Sequence, residues 1–275
     1  MFRSIEQQTS AAIVAKHIAL ADAPLLLEGA TGIGKTRAYL WALLGSGRRV
    51  AIVLPTHQLI DQLLSSDDLQ TTQGEATVAA FRPARLFAHR VDYEAGKQAA
   101  MAAQVMLCTA ASVIIDHRLG GEYNGAIDRD YLLFDEADQL PDMAALQTDF
   151  TIAASQFADM GIRTDDVRAA LNAVLAKRPH IVEPETRAAA KVILEAIEKP
   201  AWYQSAGLND DGDIVLTHRL PGRLLKKISN RGNVAFVSAT LTVGGRFNDF
   251  RNTMGIEHIS HLSDVIEPTQ HGSLD

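Results

Sequence analysis

The chain has 275 residues, enough for one large domain or two small ones with a proper buried core. Its composition is that of an ordinary globular chain, 47% hydrophobic and 21% charged, and a formal charge of −7 argues against a wholly basic nucleic-acid binder while leaving room for local positive charge. The single cysteine, Cys108, excludes an intrachain disulfide framework and any four-thiolate metal site built from this chain, and with no signal-like N-terminus and no apolar run near about 18 residues a cytoplasmic protein with no membrane partner is expected.

Residues 5–20 place Ile5, Ala12, Ile13, Lys16, His17 and Leu20 at helical spacings, so an amphipathic helix is predicted with Gln7 and Gln8 in its first turn. The plainer role for either glutamine is solvated helix surface. An apolar run ending at Leu27 then leads into GATGIGKT, Gly29 to Thr36, and residues 37–44 read as a helix. This is the spacing and the strand–loop–helix setting of a phosphate-binding loop. Glycines let successive N–H groups point at one place, and the helix N-terminus adds partial positive charge there. Gly29, Ala30, Thr31, Gly32, Ile33, Gly34, Lys35 and Thr36 are therefore expected to wrap a triphosphate. Lys35 would reach the terminal phosphates, and the Thr36 hydroxyl would ligate the Mg2+ that bridges them. A glycine turn before an ordinary helix would not need every fixed position filled. The chain is expected to bind a nucleoside triphosphate.

Residues 48–55 (RRVAIVLP) form a continuous apolar run in a charged frame, the pattern of a strand buried on both faces. Thr56, His57 and Gln58 follow it, and then a helix. The rhythm is that of a doubly wound α/β sheet, whose ligands gather at the carboxyl ends of strands. Thr56 and Gln58 fall on that edge, although a capping role suits Thr56 equally. Residues 65–100 are less patterned. Arg82, Arg85, His89 and Arg90 cluster there, most simply as a solvated face, and 93–103 looks helical. Residues 105–109 (VMLCT) read as another buried strand, with a helix over 111–119. Tyr131 to Leu140 (YLLFDEADQL) is a strand that delivers Asp135 and Glu136 at its carboxyl end. With a phosphate loop upstream, Asp135 would hold the metal and Glu136 would orient and deprotonate the attacking water.

From about 142 to 199 the text turns Ala-rich, and three helices are expected near 150–160, 164–178 and 185–198. A Gly/Asp-rich turn and a short strand at 214–217 suggest a hairpin or a return to the sheet. Residues 219–231 carry Arg219, Arg223, Lys226, Lys227 and Arg231, the densest positive charge in the chain and a candidate phosphate track. They run into a buried strand, 233–237, that ends in Ser238, Ala239, Thr240 and Leu241. Beyond residue 256 the chain drifts into polar, turn-forming text.

GATGIGKT, DEAD at 135–138 and SATL at 238–241, in this order, resemble the first motor domain of superfamily 2 helicases. PTHQLIDQ at 55–62 is similar to motif Ia of the DinG/XPD branch, and Arg3 with Gln7 or Gln8 is similar to its adenine-reading Q-motif region. The resemblance runs from about residue 3 to 270. It implies an α/β, RecA-like P-loop NTPase domain with a mostly parallel sheet, formed by 1–142 and 205–270, and a helical arch-like insertion at 143–204. It also implies an ATP-dependent helicase that uses ATP and Mg2+ and moves 5′ to 3′ on single-stranded DNA, with RNA as the alternative strand. Lys35, Thr36, Asp135 and Glu136 would carry Mg·ATP. Ser238 and Thr240 would couple hydrolysis to the strand, and Thr56, Gln58 and Thr109 would lie along nucleic acid. The branch's four iron–sulfur cysteines, due between Thr71 and Val105, are missing, so no cluster is expected; some members of the branch accompany plasmid-borne CRISPR systems, and the absence would suit a divergent member of that kind. The motifs of a second motor domain are also missing, so the chain is expected to be the ATP-binding lobe alone, either a fragment or half of a split protein whose second lobe another chain supplies. The competing reading is a non-motor ATP- and nucleic-acid-binding adaptor derived from a helicase.

Overall fold

The computed structural model describes residues 2–72, 74–178, 181–202 and 204–267. They fall into two compact units, Met1–Ala144 with Gly222–Asp275, and Ala145–Pro221. The strands in chain order are β1 (Leu25–Gly29), β2 (Val50–Leu54), β3 (Val78–Ala80), β4 (Val105–Thr109) and β5 (Tyr131–Asp135), then β6 (Phe150–Ile152), β7 (Gln204–Leu208), β8 (Ile214–His218), β9 (Val234–Ser238) and β10 (Leu262–Ile266).

The first unit is built on a seven-stranded sheet in the order β10-β1-β9-β5-β2-β4-β3, with every neighbouring pair parallel. The apolar runs follow from burial of both faces. Leu25, Leu27, Ile52 and Leu133 face one helical layer with Val14, Ile18, Leu40 and Leu43. Leu26, Val53, Phe134 and Phe236 face the other with Val113, Ile114 and Phe250, and Phe134 stacks on Phe236 at 5.4 Å. Cys108 packs inside β4, where burial pushes its thiol up to about 12. Two strands of this sheet have no counterpart in the sequence reading. β3 has three half-buried residues at one edge, and β10 exposes Leu262 to Val265 at the other. Neither carries the continuous apolar run that marks a central strand.

The helices before β5 are α1 (Ile5–Leu20), α2 (Lys35–Leu44), α3 (His57–Leu64), α4 (Asp67–Thr72), α5 (Arg90–Ala102) and α6 (Ala110–Arg118). The buried face of α1 differs from the predicted one. Ile5 and Leu20 are exposed, while Glu6, Gln7, Ser10, Ala11, Val14, His17 and Ile18 are buried. Polar side chains can occupy that face because they find partners. Ser10 Oγ donates to Glu6 O at 2.9 Å, His17 Nε2 pairs with Ala23 O at 2.6 Å, and His17 Nδ1 pairs with the Tyr131 hydroxyl. Burial lowers the His17 pKa. A lowered histidine contributes stability above its unfolded value, about 6.5, that is lost as pH falls toward the folded value. Denaturant midpoints are therefore expected to drop between pH 7.5 and 5.5, and less so in His17→Gln. Tyr131→Phe should cost about 1–3 kcal/mol at neutral pH by leaving a buried ring nitrogen unpartnered.

The second unit has its own sheet, β6-β8-β7, antiparallel throughout. Three helices accompany it: α8 (Ala154–Asp159), α9 (Val167–Ala176) and α10 (Pro184–Glu198), after α7 (Leu140–Thr148). Its core gathers Ile152, Phe157, Leu171, Val174, Ile193, Ile214 and Leu216. The strand expected at 214–217 therefore does not return to the main sheet, and the unit is not wholly helical. Ile214 and Leu216 are buried while Val215 and Thr217 are not, the alternation of a one-sided antiparallel sheet. Asn209 closes the β7–β8 hairpin by accepting from the Asp211 and Asp213 amides at 3.1 and 2.8 Å. Among the described residues, no helix is long and apolar enough to cross a membrane.

Candidate nucleotide site and sheet edge

The loop from Gly29 to Thr36 joins β1 to α2 at the carboxyl edge of the sheet. Gly32 and Gly34 take left-handed backbone angles, φ 85° and 83°. A Cβ on Gly34 would also lie 2.2 Å from Gln7 Nε2, and one on Gly29 would lie 2.6 Å from Ile33 Cδ1. The positive φ favours glycine at 32 and 34, and the ends of the Gln7 and Ile33 side chains fill the space beside Gly34 and Gly29. α2 has no side-chain cap and no acid in its first turn, which leaves its N-terminal amides for an anion. Lys35 folds over the loop, with Nζ donating to Gly29 O at 2.7 Å and Ala30 O at 3.5 Å.

β5 brings the acids to the same edge. Tyr39, one turn after Lys35 on α2, is fully buried and donates to Asp135 Oδ2 at 2.7 Å; the Thr36 hydroxyl lies beside the same phenol. Burial pushes the Asp135 carboxyl up to about 6, opposed by that hydrogen bond and reinforced by the neighbouring Glu136. A cavity of about 240 Å³ opens beside Thr36, Tyr39, Asp135 and Glu136. Glu136 has φ 48°, a left-handed conformation uncommon outside glycine. Its amide donates to Asp135 Oδ1 at 3.1 Å. Ser238 Oγ, at the end of β9, lies 3.3 Å from Glu136 Oε2 and donates to Asp138 Oδ1 at 2.6 Å; Thr240 Oγ1 donates to Asp138 Oδ2 at 2.7 Å. Lys35, Thr36, Asp135, Glu136, Ser238 and Thr240 thus share one edge. The glycine cradle with its lysine suits a triphosphate, and the hard oxygens of Thr36 and Asp135 suit Mg2+.

The two glutamines separate. Gln7 is buried, donating from Nε2 to Gly34 O at 3.2 Å and accepting from Arg3 N at 2.8 Å, whereas Gln8 is exposed. Gln7 is the one that meets the phosphate loop.

Beyond this geometry, a model of DEAD/DEAH box helicases matches residues 5–164, more than half the chain. The chain belongs to the DEAD/DEAH box helicase family. No curated protein matches it in sequence. Among solved structures, an XPD helicase is similar at a TM-score of 0.67 and 12% identity over 96% of this chain and 62% of that one. A truncated XPD is similar at 0.61 and 14% over 93% and 99%, and Xpd4 of S. tokodaii at 0.54 and 13% over 86% and 57%. At such identities the likeness is one of fold, a RecA-like helicase domain. The chain spans about three-fifths of the XPD helicase it matches.

The other half of this helicase domain's edge lies along β2, β4 and β3. Thr56 and Gln58 are exposed there, and Thr56 Oγ1 caps α3 by accepting from Leu59 N at 3.2 Å. Thr109 is buried and caps α6, accepting from Ser112 N at 3.3 Å, so its hydroxyl is committed inward rather than offered to a strand. Arg82 pairs with Asp61 and reaches His57 O, and Arg85 is exposed. The basic stretch before β9 corrects an expectation. Arg223 donates to Glu257 at 2.6 Å and Asn252 at 3.1 Å, and Arg231 donates to Ile127 O and to Arg129 O at 3.2 Å. These arginines serve internal bonds. Arg231 also lies at the amino end of β9, opposite the site, so 219–231 is no continuous phosphate track. Tyr39 and Asp138 join the edge through their bonds to Asp135, Ser238 and Thr240, and the sequence reading has no place for either. For Tyr39 the available signal was its helical spacing from Lys35.

Proposed function

We propose that this chain is the ATP-binding lobe of a DinG-type helicase that couples hydrolysis to 5′-to-3′ movement on single-stranded DNA in the cytoplasm. The observation that carries the reading is the convergence of Lys35, Thr36, Asp135 and Glu136 at one sheet edge. In this reading the loop amides and Lys35 bind the phosphates, and Lys35 exchanges its carbonyl partners for phosphate oxygens. Thr36 and Asp135 hold Mg2+, which when bound neutralises charge on the phosphoryl oxygens. Tyr39 fixes Oδ2 of Asp135 and the Glu136 amide fixes Oδ1, which together orient the carboxylate. Glu136 takes the proton of the attacking water. Gln7, through Gly34, ties the first turn of α1 to loop closure. A second motor lobe would add arginines, and such a finger is worth about 10³–10⁵ in rate in other P-loop enzymes. Turnover by this lobe alone is therefore slow.

Thr56, Gln58 and Arg85 form the proposed strand contact on the β2–β4–β3 edge. The test is the ATPase rate of the chain with and without saturating oligonucleotide. Single-stranded DNA is expected to raise the rate several-fold, RNA less. Binding should weaken with salt at a log–log slope of about −0.7 per phosphate contacted. Arg85→Ala should reduce that slope by about one contact's worth. A flat rate at saturating single strand favours the adaptor reading instead.

A further inference from the structure

We propose that Glu28 and Thr242 form a latch that transmits the state of the phosphate loop to the loop after β9, with Glu28 as a positioning residue. The inference rests on the nucleotide site proposed above. In the sheet, β9 lies between β1 and β5, pairing in parallel with both. The loop leaving β9 is tied on both sides. Toward β5, Ser238 and Thr240 donate to the two oxygens of Asp138. Toward β1, the Thr242 amide donates to Glu28 Oε2 and the Thr242 hydroxyl donates to Glu28 Oε1 at 2.8 Å. Each carboxylate grips the loop with a fork of charge-assisted bonds, which are short and directional. The first fork belongs to the turn that follows the acid strand, the second to the strand that carries the phosphate loop.

Glu28 is joined by its peptide bond to Gly29, whose carbonyl accepts from Lys35 Nζ. When Lys35 turns to a phosphate, Gly29 loses that donor. The Ile33 side chain closes over that glycine, its Cδ1 2.6 Å from where a Cβ would stand. Rearrangement at Gly29 therefore reaches the end of β1, and Glu28 passes it to Thr242. A side chain that merely closed the sheet edge would hold the loop equally with and without nucleotide.

The test is amide hydrogen exchange of segment 239–247 in the full chain, with and without the magnesium complex of a non-hydrolysable ATP analogue, and analogue affinity is titrated in each variant. In the unaltered chain the analogue should slow exchange about tenfold, an effect Thr242→Ser keeps, Thr242→Val cuts to about a third and Glu28→Ala abolishes, all with affinity within about threefold. Loss of a purely structural contact would raise exchange in both states and leave the nucleotide-dependent difference intact. Thr242→Val keeps the shape of the side chain and guards against misfolding of Glu28→Ala. A response of normal size in Glu28→Ala, or bound analogue with no response in the unaltered chain, overturns the latch alone. An unaltered chain that fails to bind the analogue overturns the nucleotide site and the latch with it.

Discussion

Replacing Lys35 with alanine is expected to weaken Mg·ATP binding by a hundredfold or more while leaving the fold standing. Lys35 is the only cation in the Gly29–Thr36 loop, and its Nζ now rests on two carbonyls that water can satisfy in its absence. Phosphate oxygens would replace those carbonyls with bonds between charged groups, each worth about 1.5–3 kcal/mol. Losing two such bonds gives about a hundredfold or more in affinity. Calorimetric titration of the variant, beside a thermal melt unchanged from the parent, checks both halves. Tight binding by Lys35→Ala would remove the basis for reading this edge as a nucleotide site.

Glu136→Gln separates binding from turnover. The amide has the shape of the carboxylate, and Ser238 keeps its shorter bond to Asp138, so the geometry around β5 and β9 should persist. What disappears is a base for the attacking water, a contribution of about 10²–10⁴ in rate. Nucleotide affinity is expected to stay within a few-fold while hydrolysis falls to background. Equal rates in parent and variant would assign proton removal to another group. The left-handed backbone at Glu136 adds a second arm. Glu136→Gly should relieve the backbone and abolish turnover, whereas Glu136→Val should also lower stability, because a β-branched residue fits poorly at positive φ.

The parts of this architecture legible in the sequence are those where local text and tertiary role coincide. β1, β2, β4, β5 and β9 are central strands, so their burial on both faces writes itself as unbroken apolar runs. β10 is an edge strand whose first four residues are exposed, and its pairing depends on β1 rather than on its own composition. β6 and β8 lie far apart in sequence on either side of three helices, so neither short segment announces its partner. The face of α1 agrees with its sequence at His17 but turns Gln7 and Ser10 inward on specific partners and leaves Ile5 and Leu20 exposed, which apolar spacing does not encode. Lys35 and Asp135 could be singled out because their motifs have fixed spacing. Glu28 and Thr242 are 214 positions apart with no shared motif, and only the sheet order brings them together.

That sheet order bears on how the molecule is made. β1 emerges early in synthesis, yet both strands that flank it, β9 and β10, come from the last quarter of the described chain. Ribosomes have to deliver some two hundred more residues before the glycine turn gains a neighbour on either side, and such distant pairings are slow to form. Nascent chains stalled before Val234 should therefore be unable to retain nucleotide, although every residue of the turn and both acids have already been translated.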